Sequence, residues 1–544
     1  MKTNKFFKII LPILAIIVFI GCDNFLDTKS EDTISKDNFY QSEEDFQAAT
    51  IPLYNKVWAD FNDKFYYALG DGRSYNLYAP FSDYIYPFSD LIESGLTGPL
   101  VSAWGSFYIV VQQSNNVING ITESSVDEAI KKKYIAEARF MRGLAYWHLA
   151  SLWGDVIIST DPEALVDNPI VNTNPREDVY EFAIRDLEYA AMYLPKDAVD
   201  VGRVTKYSAY AMLSRVYLAY SGLSDNPNSG SRNETYLEYA KKAAEMVIEN
   251  GPYSLEEDYY DLFLIENNNN SESVFALQWV PNGSWGLKNT QQAYFAWESA
   301  ITNDGTAWGW WTRASYDVLK IYETNDIRRH ATWMGYGDYY ADIQRANGGY
   351  TCENGTSYLN VKKGVVGSTA DNADISYMNS SLNTYMMRYA EVYLNYAEAV
   401  LGNSESTSDA MALEYFNLLR KRANVDTKSS ITFDDILKER RREFCMEGRY
   451  WYDLVAWSYF DQQAVINYIT AQNRSTITPF IYDVSTNTVT VDEDKSPSSR
   501  AIGTIDASIF LLPYPESEVI QNPLLDDAPV DYEFTEERLT DQLF

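Results

Sequence analysis

Five of the thirteen tryptophans in this 544-residue chain, Trp285, Trp297, Trp308, Trp310 and Trp311, fall within one short stretch. Gly305 and Gly309 flank and interrupt the last three. Glycine so close to indoles does not suit a helix or strand interior, so the run reads as a loop. Indoles on a loop can form a stacking surface for something flat and partly apolar, such as a sugar ring or the proline or aromatic side chain of a peptide. Large rings also serve as buried anchors, and composition by itself favours that use, because tryptophan is highly buried on average. Other chemistry finds little material. The two histidines are His148 and His330, and His148 lies in an apolar helical stretch, residues 144–150, where a packing histidine fits better than a base. A multi-histidine zinc site or a histidine-based triad therefore lacks its residues. No GxSxG, Walker A or GxGxxG motif occurs. Among 77 acidic residues no pair stands out as a glycosidase pair. No Asp/Asn-spaced calcium loop is present, so neither metal nor cofactor is expected.

Charge narrows the ligand. The 44 basic and 77 acidic residues leave a formal charge of -33, which repels nucleic acids and other polyanions. A neutral ligand is expected. Hydrophobic residues at 46% and charged residues at 22% are those of a core-forming protein. The 44 tyrosines and 24 phenylalanines raise aromatic content to 15%, a bias of recognition surfaces.

The elements that must carry this loop are mostly helical. Apolar residues recur at three- and four-residue spacing over 104–121, 128–152, 176–194, 206–221, 236–249, 387–401, 409–422 and 433–460. Ala136, Ala138, Gly143, Ala145 and Ala150 let one helix approach another closely, and Phe140, Tyr146, Trp147 and Trp153 fill the space between. Short breaks join these segments, as in helix-pair repeats of about 34 residues of the tetratricopeptide type. The expected fold is mainly α, with a helical scaffold over about 102–250 and 387–460. Two irregular regions, 61–99 and 253–385, are candidate binding loops. After about residue 473 the chain reads as loops and short strands.

The first residues are an address. Lys2, Lys5 and Lys8 precede an apolar run over 9–20 that is too short to span a bilayer comfortably. Phe19-Ile20-Gly21-Cys22 resembles a bacterial lipobox. Residues 1–21 are expected to be a lipoprotein signal peptide, 22–40 a flexible tether acylated at Cys22, and 41–544 a single body. Cys352 and Cys445 are expected as free thiols.

Several motifs then resemble one family. They are Ala136-Glu137-Ala138-Arg139-Phe140-Met141-Arg142-Gly143 through Leu152-Trp153-Gly154-Asp155-Val156, and Gly202-Arg203-Val204-Thr205-Lys206. Further on stand Arg388-Tyr389-Ala390-Glu391-Val392-Tyr393-Leu394-Asn395-Tyr396-Ala397-Glu398-Ala399, Glu439-Arg440-Arg441-Arg442-Glu443-Phe444 with Glu447-Gly448-Arg449-Tyr450-Trp451-Tyr452-Asp453-Leu454, and Pro513-Tyr514-Pro515-Glu516. In this order, behind a lipobox, they resemble the SusD/RagB-like surface lipoproteins of Bacteroidetes. The charged helices among them are expected to mark the scaffold by pairing charges.

The resemblance implies a non-enzymatic protein, lipid-anchored at the outer-membrane surface, that captures an oligomer and caps a SusC-like TonB-dependent transporter. By position it implies ligand contacts from Asp71, Arg73, Tyr75, Asn76 and Tyr78, and from Trp308, Trp310 and Trp311, with Trp285 and Trp297 nearby. Planar polar groups such as Asp71, Arg73 and Asn76 suit sugar hydroxyls, and indoles suit the apolar face of a pyranose. A neutral oligosaccharide, of β-glucan type among others, is therefore expected. Oligopeptide capture, a lid with no ligand of its own and a glycoside hydrolase are the alternatives. Indole density favours the glycan, since peptide capture rests more on backbone hydrogen bonds. Of the adjacent Trp310 and Trp311, one is expected to pack inward.

Overall fold

Small side chains set the spacing of the scaffold. The computed structural model describes residues 39–280 and 286–544. Its longer helices are α1 (Glu43–Thr50), α2 (Gly98–Glu123), α3 (Glu128–Trp153), α4 (Arg176–Tyr193), α5 (Lys206–Leu223), α6 (Glu234–Asn250), α7 (Tyr389–Leu401), α8 (Ala410–Arg422), α9 (Phe433–Glu443) and α10 (Tyr450–Ala471). Helix α3 starts where the Asp127 carboxylate accepts the Ala129 N–H at 2.9 Å, and it stops at Gly154, whose φ is 78°. A Cβ at position 143 would lie 3.0 Å from the Ala183 carbonyl oxygen, so glycine there lets α3 and α4 meet closely. Phe140, Tyr146, Trp147 and Trp153 are buried between neighbours. Helices pack on their successors from α2 through α6, then α6 on α7 and α7 on α8, as in a degenerate tetratricopeptide array.

Charged residues tie these layers together from inside. Asp186 of α4 accepts from Arg139 and Arg142 of α3 at 2.7 Å each, and Arg142 also donates to Asn115 of α2 at 2.6 Å. The chain Asp186–Arg142–Asn115 thus ties three helices together through charge-assisted hydrogen bonds.

Two expectations about elements are corrected. The helix expected over 433–460 is two helices, because Met446 (φ 63°) and Gly448 (φ 65°) turn the chain left-handed between α9 and α10. Their N–H groups both donate to the Asp71 carboxylate at 2.8 Å. Apolar periodicity runs through the break because the turn is as buried as the helices it joins. The region 61–99 is largely core rather than a loose loop. Residues Phe61–Phe65 and Ala68–Arg73 form buried helical turns. A Cβ at Gly70 would lie 2.1 Å from the Gly448 carbonyl carbon, so glycine at that position serves close packing instead of flexibility.

The region 253–385 carries short strands: β2 (Ser273–Leu277), β3 (Arg313–Ala314), β4 (Trp333–Met334), β5 (Asn360–Val361) and β6 (Thr384–Arg388). With β1 (Leu77–Tyr78) they make a four-stranded antiparallel sheet in the order β1-β3-β5-β4 and a β2-β6 pair. Tyr78 lies opposite Arg313, and Arg313 opposite Asn360. Tyr40 already packs on Phe46 and over Gly120, so the packed body begins before residue 41. The signal peptide, most of the tether and Cys22 lie outside the described residues. Cys352 and Cys445 are buried free thiols. Among the described residues no helix is long and apolar enough to cross a membrane.

Candidate ligand-binding site

A single turn of 3-10 helix, Gly309–Trp311, presents the tryptophan run. The Trp308 N–H donates to the Ala293 carbonyl and the Gly309 N–H to the Ala296 carbonyl, each at 2.8 Å. A Cβ at position 309 would fall 2.2 Å from the Phe295 carbonyl oxygen, so only glycine lets the turn lie on that segment. From β5, the buried Asn360 amide donates to the carbonyls of Gly309, Trp310 and Thr312 at 3.1, 3.2 and 3.4 Å. Its own oxygen accepts from Asn354 at 2.9 Å. The run is therefore a loop, but one fixed at its backbone.

The indoles it holds are all half in water: Trp308 is 47% exposed, Trp310 42% and Trp311 40%. The expectation that Trp310 or Trp311 packs inward is corrected. The inward place is taken by Trp297, 6% exposed, whose ring lies 5.3 Å from that of Trp310. Trp297 donates its Nε1–H to the Tyr350 hydroxyl at 2.8 Å, and that hydroxyl donates to Glu298 at 2.7 Å. It is a pillar under the face and not a contact residue, which corrects its expected role. Trp285 lies outside the described residues.

Other rings extend the face. Phe81, 68% exposed, meets Trp311 edge-on at 4.6 Å. Tyr294 lies 5.4 Å from Trp308 and 6.3 Å from the exposed Tyr84, and the Lys64 ammonium caps both tyrosines at 4.9–5.0 Å. Sequence reading missed Phe81 and Tyr84. Their signal was Pro80-Phe81-Ser82-Asp83-Tyr84, two aromatics in a polar turn directly after Tyr78. Arg313 of β3 closes the edge of the face, its guanidinium 4.5 Å over Trp311 and 3.7 Å over Tyr358. Its Nε donates to the Trp310 carbonyl at 3.0 Å.

The polar residues expected beside the indoles are elsewhere. Asp71, Arg73 and Asn76 are buried, and their hydrogen bonds serve the scaffold. Asp71 accepts from Asn76 at 3.0 Å as well as from the Met446 and Gly448 N–H groups. Burial pushes its carboxyl up to about 6, although those donors pull the other way. Asn76 in turn accepts from Arg441 at 2.7 Å. Arg73 pairs with Glu93, donates to the Ile509 carbonyl at 2.6 Å and stacks on Trp451 at 4.7 Å. Tyr75, buried at φ 64°, lies under Arg474. The expected contacts of Asp71, Arg73 and Asn76 are corrected, because close packing draws them into the core, whereas the buried Tyr75 lines the floor of a groove beside the face. Tyr78, half-buried under Arg500, reaches a groove next to the face.

Neither histidine is among the residues that form the face. His148 is buried, its Nδ1 2.8 Å from the Tyr452 hydroxyl, and burial holds its pKa well below the usual value. Among the described residues no group of three or more His, Cys, Asp or Glu side chains could hold a metal ion.

The chain matches the model described as "SusD family" over residues 228–530 and that described as "Starch-binding associating with outer membrane" over residues 24–218. A SusD-like protein of Bacteroides ovatus is 41% identical over 549 positions, spanning 97% of this chain and 99% of the relative. A crystal structure with xylogluco-oligosaccharide superposes with a TM-score of 0.84 at 42% identity, covering 90% of this chain and all of that one. The starch-binding protein SusD of Bacteroides thetaiotaomicron is similar at 25% identity over 403 residues, 62% of this chain and 66% of its own.

Proposed function

This chain belongs to the SusD family, and from that premise we propose that it captures oligosaccharides of a neutral polysaccharide at the cell surface on the face formed by Trp308, Trp310 and Trp311. Members of this family bind carbohydrate and are not enzymes. The observation that carries the reading is the rigid turn that holds three indoles half in water. Exposing that much apolar ring area without a partner is unfavourable, and the apolar face of a pyranose would cover it. Each stacked ring contributes on the order of 1–2 kcal/mol, so two or three give a modest affinity suited to releasing the cargo. The crystal structure of a 42% identical relative with xylogluco-oligosaccharide supports a β-glucan backbone as the ligand. The charge of -33 supports a neutral one.

The match to a family associating with the outer membrane supports placement there. The lipobox supports an anchor at Cys22, and delivery to a SusC-like TonB-dependent transporter completes the reading. Calorimetry of the full chain against xylogluco-oligosaccharides tests it. Trp310→Ala and Trp311→Ala should each weaken binding about tenfold. Undiminished binding in both variants would sink the reading, and affinity that collapses with added salt would point to an anionic ligand instead.

A further inference from the structure

We propose that a groove beside the tryptophan face is a second sugar subsite, which takes units of the same oligosaccharide beyond those stacked on the indoles. This rests on the glycan-binding reading above. The groove has a volume of about 370 Å³ and lies between β3, residues 357–358 and the segments 471–480 and 495–498. Its walls alternate aromatic rings, Tyr78, Tyr316 and Tyr358, with small hydrogen-bonding groups such as Asn473, Thr478 and Ser496. Apolar faces interleaved with hydroxyls and amides match a sugar ring, which has one apolar face and a rim of hydroxyls. An apolar peptide or a lipid chain would leave those polar groups unpaired.

Three observations tie the groove to the face. Arg313 belongs to both, with its guanidinium sandwiched between Trp311 on the face and Tyr358 in the groove. Among the described residues no carboxylate pairs with it; its Nε donates to the Trp310 carbonyl on the face, and its side chain hydrogen-bonds to Tyr358 in the groove. Tyr78 in the groove and Phe81 on the face are three residues apart, roughly 10 Å of chain at most. An oligosaccharide leaving the indoles therefore meets the groove without crossing bare solvent.

Several charges on the groove wall are already paired within the protein. Asp317 on the groove wall is committed to Arg441 at 2.8 Å and Lys320 at 3.1 Å, and Lys495 is committed to Asp492 at 2.8 Å. With those groups paired, Arg313 is left without a counter-ion among the described residues, and it lies flat between Trp311 and Tyr358 as a hydrogen-bond donor at the groove's edge.

The test titrates the full chain calorimetrically with xylogluco-oligosaccharides of one and of two repeat units. Wild type is compared with Tyr316→Ala, which removes a wall ring, and Thr478→Trp, which fills the groove. Wild type should bind the longer probe at least about fivefold more tightly, beyond the twofold expected from having two equivalent units. Both variants should keep their affinity for the shorter probe within about twofold and lose the advantage of the longer one. Thr478→Trp adds bulk on a surface segment, so it decides the matter if Tyr316→Ala destabilises the fold. A length advantage that survives in a folded variant, or that wild type lacks, overturns the groove. Wild type that binds neither probe overturns the glycan reading itself, and the groove with it.

Discussion

Around Glu443 in α9, guanidinium groups from three distant segments converge on one buried carboxylate: Arg328 at 3.1 Å, Arg388 at 3.0 Å, and Arg422. At residues 308–311, three indoles with no charge to satisfy stand half in water. Charge is inside and apolar ring outside, opposite to what polarity alone suggests. The buried charges persist because each is paired. Glu272, Glu439 and Glu447 share the same arginines, and Lys363 pairs with Glu447 at 2.9 Å. Burial alone would raise the Glu443 carboxyl, yet Arg422, Arg388 and Arg328 hold it well below the usual carboxylate range. The exposed rings persist because Asn360 and Gly309 fix their turn from beneath. One region ties distant segments together by charge, and the other is fixed only at its backbone.

That contrast breaks most readily at Glu443. Glu443→Ala leaves three arginines without their shared acceptor and should cost about 3–5 kcal/mol of stability, read by urea unfolding. A loss below about 1 kcal/mol would mean that the network is not what holds the scaffold.

Asp71 offers the next largest effect. Its folded value near 6 lies above the ordinary aspartate range, so the folded state binds its proton more tightly than the unfolded chain does. Its contribution therefore falls as pH rises from about 4 to 6. Glu391 behaves oppositely. Despite burial, Arg215 and Arg449 lower its carboxyl to about 2, so its contribution is present above about pH 4.5 and is lost as pH falls toward 2. The stability of wild type relative to Asp71→Asn should thus drop by about 2–3 kcal/mol between pH 4 and 7, measured by denaturation at each pH. Glycan affinity should be equal in the two at any pH where both are folded. A selective loss of affinity would return Asp71 to the ligand site.

The smallest effect on stability belongs to the turn. Gly309→Ala forces a methyl group against the Phe295 carbonyl, a local overpacking cost of about 1–3 kcal/mol that the turn can relieve by shifting. Hydrogen exchange at 308–312 should accelerate and glycan affinity should fall, while the midpoint of global unfolding moves less than in Glu443→Ala. Matching losses in both properties would show that the face and the scaffold are one unit.

Much of the scaffold was legible. Three- and four-residue periodicity located most of the long helices within a few residues, since a helix face buried against its neighbour must repeat at that spacing. The same pattern hid the turn between α9 and α10, because periodicity reports burial and the turn is buried too. At the site, the tryptophan run was legible as a loop from Gly305 and Gly309. The glycine at 70 carried the same signal and meant the reverse, since there it admits the Gly448 backbone into close contact.

The sequence by itself determined the chemistry available: helices with small and large residues in alternation, paired charges in recurring motifs, and a cluster of indoles without histidine or metal chemistry nearby. Which side of the surface each group occupies was decided only by tertiary structure. Trp297 and Trp310 are alike in sequence, but Tyr350 receives the Trp297 indole while that of Trp310 faces outward. Arg73 and Arg313 are alike in type. Glu93 and the Ile509 carbonyl bury Arg73, whereas β1 and β5 hold Arg313 at the edge of the face. Exposure depends on what distant segments bring to a residue, and no local pattern records those partners.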